Sequence, residues 1–396
     1  MEYYRRSEIT MFQKIKNIFH LFQAIIANIF YCFPSRKIKI IGVTGTDGKT
    51  TTTTLIAHIL KSSGKKISYI STVKAQIAGK EYDTGLHVTT PSAFMIQKFL
   101  SQSVKNKDEY FILETTSHAL DQYRVWGVKY EIGVLTNVTP EHLDYHQSYE
   151  EYVKVKEQLL KMARIGVLNT SDISYLLLSQ KSKVKSQNYN SKVKIIDGFS
   201  SLTAFNKLNY LAAYKVCQIL GLSDKQITEG MKTFKLPKGR FDLVYDKEFK
   251  IIIDFAHTPN AFKVLLPAIR EKYLKEGGRL IHIFGSAGLR DRLKRSLMGK
   301  ISDQFADYII LTEEDYRTES LDKICLEIAK GIKKTPFLII KNRQDAINKG
   351  VAMAVKGDVV VITGKAHEKS LCRGKTEHPW DEYQAVEIGI KYKIKK

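Results

Sequence analysis

Cysteine is scarce and scattered in this chain: four residues, at 32, 217, 325 and 372, with no C-x-x-C spacing. That excludes a disulfide framework, gives no sign of a zinc or thiol-redox centre, and fits a reducing cytosol. No small-residue cleavage site stands out near the apolar N-terminus, so a secretory signal is not expected. A G-x-G-x-x-G fingerprint is missing, which disfavours a dinucleotide fold. There is no low-complexity segment and no short-period repeat. Acidic residues are outnumbered, 41 against 63 Lys and Arg, for a formal charge of +22. Such an excess favours nucleotides, phosphorylated substrates, nucleic acid or an anionic membrane surface as partners, or else serves solubility alone.

What is present is ordinary globular material: 396 residues, 43% hydrophobic and 26% charged, long enough for two or three domains with real cores. The N-terminus stands apart. Residues 18–35 carry no formal charge, yet His20, Gln23 and Asn28 interrupt them, so they make a poor membrane span. Apolar residues at 15, 18, 19, 22, 25, 26, 29 and 30 follow the helical period, and Pro34 ends it. Two readings stay open. The helix docks on the protein's own core, or, flanked by Lys14, Lys16, Arg36 and Lys37, residues 11–33 make a peripheral contact with a membrane.

Beyond it, short apolar runs alternate with helical stretches: "KIKIIGV", "KISYI", "YFILE" and "EIGVLTN", then "KIIIDFA", "RLIHIFG", "YIILT", "FLIIKN" and "DVVVITG". Alternation of this kind predicts parallel sheets covered on both faces. The basic, Pro/Gly-containing "KLPKGRF" at 235–241 interrupts it. Segments 1–36, 37–236 and 237–396 are therefore expected as an apolar helical lead, a central domain and a C-terminal domain.

The stretch "IKIIGVTGTDGKTTTTTLIAHIL", 38–60, reads as strand, Gly-rich turn and helix. The strict G-x-x-x-x-G-K-[ST] pattern fails, because Val43 stands at the first Gly. Backbone N–H groups of such a turn, with the helix N-terminus behind them, still make an anion site. Thr44, Gly45, Thr46, Asp47, Gly48 and Thr51 frame it, Lys49 supplies charge for phosphates, and Thr50 a hydroxyl for Mg²⁺. Glu114 and His142 fall just after strands, where ligands of open α/β sheets bind. Taken alone, Glu114 could cap a helix and His142 could be a loop histidine.

The ordered array "GVTGTDGKTT", "TTPSAF", "ETTSHALDQYRVWG", "TNVTPEHLDYH", "NKLNYLAA", "GRFD", "DFAHTPNA", "FGSAGLRDRLKR", "EEDYRTE" and "TGKAHE" resembles the Mur ligases, above all the UDP-N-acetylmuramoyl-tripeptide synthetases. The resemblance runs from about Lys37 to the C-terminus, and the family's own loop, G-T-x-G-K-T, accounts for the failed pattern. It implies an α/β fold with a central P-loop-type parallel-sheet ATPase domain followed by a smaller Rossmann-like domain. It implies ATP-dependent phosphorylation of a carboxylate, then attack by an amino acid's amine. The partners would be a muramyl peptide and an amino acid, with no nucleic acid, and the chain a cytoplasmic monomer serving peptidoglycan synthesis, possible membrane contact placing it at the inner face.

Roles follow residue by residue from that resemblance. Lys49 matches the phosphate lysine, Thr50 and Glu114 ligands of the ATP magnesium, and His142 a ligand of a second magnesium. Lys156 matches a lysine carbamylated by CO₂ in many members; Lys154 and Lys156 otherwise read as solvated helix lysines. Asn206 and Asn209 fit an N-x-x-N near adenine, and Arg240, Asp254 and Lys294 the nucleotide site as the C-terminal domain closes. Thr89, Thr90, Ser117 and Arg124 fit the muramyl-peptide contacts.

The amino-acid pocket of the diaminopimelate enzymes carries D-N-P-R; here the stretch is Glu314, Asp315, Tyr316, Arg317. Gly364 and Glu368 fall on that pocket's later Gly and Glu. The retained Arg favours diaminopimelate over lysine. Asp315 is expected to pair with Arg317 and weaken its hold, and Arg317 could instead bridge to Glu319. The tripeptide synthetases begin with a separate uridine-nucleotide domain of roughly a hundred residues, whereas 36 residues precede the first strand here. That domain is therefore expected to be missing, and the acceptor to be UDP-linked and held differently, lipid-linked, free, or unrelated to cell walls. Ligases of the folylpolyglutamate or cyanophycin type, or a nucleotide-binding protein without ligation, are the alternatives.

Overall fold

Continuous apolar runs become central strands because both faces of each are covered. A computed structural model describes residues 2–82, 89–141, 143–172, 174–179, 186–189 and 204–394. The chain folds into two compact units, Met1–Pro140 with His146–Lys235, and Glu141–Tyr145 with Leu236–Lys396.

In the first unit β1 (Lys39–Thr44), β2 (Ile67–Ile70), β3 (Ala75–Ile77), β4 (Lys80–Tyr82), β5 (Tyr110–Glu114), β6 (Tyr130–Leu135), β7 (Ala163–Asn169) and β8 (Ser186–Tyr189) pair in the order β4-β3-β2-β5-β1-β6-β7-β8. All pairings are parallel except β2 with β3 and β3 with β4. The helices relevant to the site are α1 (Glu2–Phe30), α2 (Lys49–Ser62), α3 (Ala93–Lys105), α4 (Ser117–Asp121), α5 (Leu143–His146), α6 (Tyr149–Met162), α7 (Ser174–Ser179) and α8 (Ala204–Ile219). Alternate residues of β1 serve opposite cores. Ile41 and Val43 join Leu55 and Ile59 of α2 and Val216 of α8; Ile40 joins Ile96 and Leu100 of α3 and Leu159 of α6. Each fully buried Ile or Leu contributes roughly 1.5–3 kcal/mol, so strands of four to six residues suffice to hold the sheet.

Helix starts follow local chemistry. Ser92, Thr116 and Ser148 accept backbone N–H bonds at the heads of α3, α4 and α6. Gly48, at the head of α2, supplies no side chain at all, and the turn there is left open to an anion.

In the second unit β9 (Asp242–Asp246), β10 (Lys250–Asp254), β11 (Leu280–Phe284), β12 (Tyr308–Leu311), β13 (Phe337–Ile339) and β14 (Val359–Thr363) pair in the order β13-β12-β11-β14-β10-β9. Only β9 runs antiparallel to its neighbour. A hairpin of β15 (Ser370–Arg373) and β16 (Thr376–Pro379) follows.

Two buried histidines give this unit a pH dependence. His282 of β11 lies between Ser302 Oγ (2.9 Å) and Thr363 Oγ1 (3.1 Å) and stacks on Phe284. Burial lowers its pKa to about 3, and burial, then the Arg240 charge, lowers His367 to about 3 as well. Below the ordinary value of about 6.5 the unfolded chain takes up a proton that the folded one refuses. Stability is thus complete above that pH and falls as pH drops toward the folded values. Between pH 7 and 5 we expect each histidine to remove about 2 kcal/mol, read as a lower urea midpoint. His282→Gln, which still offers a donor and an acceptor, should recover about half of the loss. Identical midpoints at the two pH values would refute this.

Candidate active site

The loop after β1 is held from below by the end of β6. Thr46 N–H donates to the Asn137 carbonyl (2.8 Å), Asp47 N–H to Asn137 Oδ1 (2.9 Å), and Thr136 Oγ1 to the Asp47 carbonyl (2.7 Å). Gly48 has φ +81, and a Cβ there would lie 2.2 Å from Asn209 Oδ1, so the turn closes only with glycine. Asn209 and Asn206 of α8 lie together behind the loop, Nδ2 to Oδ1 at 3.5 Å. Lys49 Nζ donates back to the Thr46 carbonyl (2.7 Å). Thr44 and Thr51 are buried at either side, and Thr44 Oγ1 has no hydrogen-bond partner.

Glu114 ends β5 fully buried among hydroxyls. It accepts from Thr50 Oγ1 (3.0 Å), Thr72 Oγ1 (2.8 Å) and Thr72 N–H (2.8 Å). With its one proton on Glu114, Thr72 Oγ1 accepts from Thr89 Oγ1 (3.0 Å), and Thr90 Oγ1 donates to the Glu114 carbonyl (2.9 Å). Arg124 Nη1 donates to the Thr90 carbonyl (2.9 Å). Thus Thr50, Glu114, Thr89, Thr90 and Arg124 form one connected patch. Ser117 stands 3.0 Å from His146 Nε2. Burial, reinforced by the Lys156 charge, lowers His146 to about 4, so it is neutral at pH 7. Lys156 is not a solvated helix lysine. It is fully buried, donates to the Gly45 carbonyl at 2.6 Å, and lies over the Tyr152 ring. His142 lies outside the described residues.

Among the described residues no three His, Cys, Asp or Glu side chains gather as a metal cage. Mg²⁺ needs none: it is a hard cation that keeps waters and takes one or two carboxylates plus phosphate oxygens. A buried carboxylate 3.0 Å from a loop-end hydroxyl is a donor set of that kind.

In the second unit Asp254 ends β10 and accepts the N–H groups of Phe241 (2.6 Å) and Ala256 (2.7 Å). Burial raises its pKa, against the opposing pull of Arg240, whose guanidinium stacks on Phe255. Lys294 is in the first turn of the helix Leu293–Phe305.

Asp315 pairs with Arg317, as the sequence leads one to expect, but Lys365 holds it more closely. Its Oδ1 accepts from Lys365 Nζ (2.8 Å) and Cys372 N–H (2.9 Å), while Arg317 Nη2 is 3.9 Å from Oδ2. Lys365 is fully buried and also pairs with Glu368. Burial works against the Lys365 charge, but Glu368 and Asp315 outweigh it and raise its pKa. Arg317 also donates to the Gly288 carbonyl (2.7 Å). Glu319 is engaged by Arg295 at 2.7 and 2.9 Å, not by Arg317. Gly364 has φ +107, and a Cβ there would sit 2.9 Å from Glu314 Oε2, a buried oxygen without a partner.

Comparison with known proteins decides what this arrangement belongs to. Residues 43–217 match the Mur ligase middle domain, and 239–366 the Mur ligase, glutamate ligase domain. The chain is 34% identical to UDP-N-acetylmuramoyl-L-alanyl-D-glutamate--2,6-diaminopimelate ligase 1 of Clostridium acetobutylicum, over 93% of this chain and 81% of that protein. It is 37% identical to the UDP-N-acetylmuramyl-tripeptide synthetase of Borreliella burgdorferi, over 93% and 80%. The chain belongs to the Mur ligase family. A solved diaminopimelate ligase of the same name superposes with TM-score 0.57 at 27% identity, over 89% of this chain and 78% of that one. A Mycobacterium tuberculosis folylpolyglutamate synthase shares the fold at TM-score 0.71 and 12% identity, over 89% and 97%.

As a Mur ligase this protein is an ATP-dependent, ADP-forming ligase that works with ATP and Mg²⁺. Sequence reasoning missed several of the residues that shape its loops. Thr72 bridges Glu114 to Thr89, Asn137 pins the phosphate-loop backbone, and Lys365 pairs with Asp315. Lys365 and Asn137 lie inside quoted motifs, "TGKAHE" and "TNVTPEHLDYH", so the signal was there; Thr72 follows β2 in "YISTV" and carried none.

Proposed function

We propose that this Mur ligase adds 2,6-diaminopimelate to the D-glutamyl carboxylate of a muramoyl-L-alanyl-D-glutamate acceptor. The observation that carries the specificity is Arg317, whose neighbour Asp315 is held more closely by Lys365, at 2.8 Å, than by Arg317 itself, at 3.9 Å. Its guanidinium keeps donors for a carboxylate at the far end of the incoming amino acid. The names of the Clostridium and Borreliella relatives support the acceptor class.

A carboxylate is a poor electrophile. Transfer of the ATP γ-phosphoryl group gives an acyl phosphate and ADP; the amine then attacks the acyl carbon, phosphate leaves, and the ammonium-derived proton is lost. Bound Mg²⁺ supplies charge neutralisation on the transferring phosphoryl group. The loop N–H groups and Lys49 bind the phosphates, and Thr50 and Glu114 hold the metal. Asn206, Asn209, Arg240, Asp254 and Lys294 serve the nucleotide. Thr89, Thr90, Ser117 and Arg124 align the acceptor, and Arg317, Gly364 and Glu368 the amino acid, with Asp315 positioning them through Lys365. Alignment of the two reactants supplies most of what remains of the barrier reduction. A second Mg²⁺ would be held by His142 and by Lys156 in its carbamate form, which would supply oxygen ligands suited to a hard cation. The protein works as a cytoplasmic monomer, with residues 11–33 as its peripheral membrane contact.

The test is ADP release against a panel of acceptors and amino acids. Turnover should require both UDP-N-acetylmuramoyl-L-alanyl-D-glutamate, or its form without UDP, and diaminopimelate. Turnover on a folate acceptor, or ATP consumption without any acceptor, would overturn the assignment.

A further inference from the structure

Helix α1 has two faces, and the large apolar side chains are on the wrong one for a helix stabilised only by its own core. The buried positions of the inner face are small and polar, with Leu21 and Ile25 half-buried beside them. Asn17, Ala24, Ala27 and Asn28 are buried, and the two alanines meet Ala93 of α3. Asn28 Nδ2 donates to the Trp126 carbonyl (2.8 Å), Asn17 Nδ2 to Asp121 (2.9 Å), and Ser35 Oγ, just past the helix, to the Gly127 carbonyl (3.2 Å). The outer face is a stripe at helical spacing: Ile15, Ile18, Phe19, Phe22, Ile26 and Ile29, each 45–65% exposed.

Charge decides what covers that stripe. No Asp or Glu occurs between Glu8 and Asp47, while Lys16, Arg36, Lys37 and Lys39 are all exposed. A second copy packed on the same face would bring these like charges together across a twofold. An anionic surface would meet them favourably. Tyr123 and Trp126, in the segment that α1 holds, are exposed as well, the residue types that settle at headgroup level. No helix among the described residues is long and apolar enough to cross a bilayer, so the helix would lie on it.

We propose that the outer face of α1 docks on anionic phospholipid, with the helix in the headgroup plane and its Asn/Ala face still bonded to the protein. The held segment, 117–127, includes Ser117 and Arg124. On the acceptor reading above, docking therefore sets the acceptor contacts on the order of one helix diameter, ~10 Å, from the lipid. That consequence rests on the reading; the docking does not.

The full chain is mixed with vesicles of phosphatidylcholine, with and without phosphatidylglycerol, and sedimented. Binding to the phosphatidylglycerol vesicles should be at least tenfold stronger and should weaken as salt is added. Phe22→Glu/Ile29→Glu changes only exposed positions. It should lose binding at least tenfold while keeping its melting temperature and its ligation rate in vesicle-free buffer, so a failure of docking is distinguishable from a failure of the ligase reading. No binding by the wild type, equal binding to both vesicle types, or unchanged binding of the variant would overturn the proposal. So would a vesicle-free dimer that the variant dissolves.

Discussion

Lys156→Ala lowers ligation on the order of 10²–10³-fold, the scale seen when one positioned group of a charge-stabilising site is removed. The expectation rests on where the amine lies. Lys156 is buried on α6, and its Nζ donates to the carbonyl of Gly45, the first residue of the phosphate loop. As an ammonium it can only orient that loop. As a carbamate it would keep one N–H for Gly45 and gain two oxygens of the kind a hard cation takes. Formation is balanced: the neutral amine's lone pair closes on CO₂, and one proton is released. Three readouts separate the two roles. With ¹³C-bicarbonate the wild type should show a carbamate carbon that Lys156→Ala lacks. Short carboxylic acids should partly restore the variant. His146, held near 4 by burial and by the Lys156 charge, should titrate at higher pH once that charge becomes negative. Full ligation by Lys156→Ala would exclude any role, and loss of activity with no carbamate carbon would leave the ammonium as the working form.

The parallel strands were legible because burial on both faces writes itself as unbroken apolar runs: "YFILE" and "DVVVITG" became β5 and β14. Strands that lack that burial were not. β3 and β4 are three residues each, with β4 largely exposed, and β9 is an edge strand of partly exposed residues. β7 starts at Ala163, directly after α6 ends at Met162, so no turn chemistry marks it. For α1 the period of the apolar residues announced a helix but not its orientation. The sequence pattern invites burying Phe22 and Ile29, whereas two asparagines and two alanines carry the contact. Side-chain pairing was least legible of all. Asp315 and Arg317 are two residues apart and do pair, at 3.9 Å, yet the closer cation is Lys365, fifty positions along and supplied by the turn after β14.

Arg317→Ala should cost diaminopimelate about 1.5–3 kcal/mol of binding and activation, one to two decades in kcat/KM, while leaving lysine nearly unaffected. The backbone at Arg317 is unusual for a residue with a side chain: φ is +52, in the left-handed region. Two bonds hold it there, Arg317 N–H to the Cys372 carbonyl (3.1 Å) and Gly374 N–H to the Arg317 carbonyl (2.8 Å). A conformation that costs energy and is clamped from both sides is a position where direction matters. Here it sends the guanidinium to the Gly288 carbonyl at 2.7 Å and leaves it at the longer ion-pair distance of 3.9 Å from Asp315. The Lys365 ammonium holds Asp315 Oδ1 at 2.8 Å, so the internal pairing left to Arg317 is the longer one, 3.9 Å to Oδ2. A distal carboxylate can then be met by a planar fork, which an ammonium cannot imitate. Arg317→Lys should therefore recover only part of the loss. Lys365→Met should also lower diaminopimelate use, because it frees Asp315 to take the guanidinium. The measurement is a competition with both amino acids present at equal concentration. A wild-type preference for lysine, or a ratio unchanged by Arg317→Ala, would show that the distal carboxylate is read elsewhere.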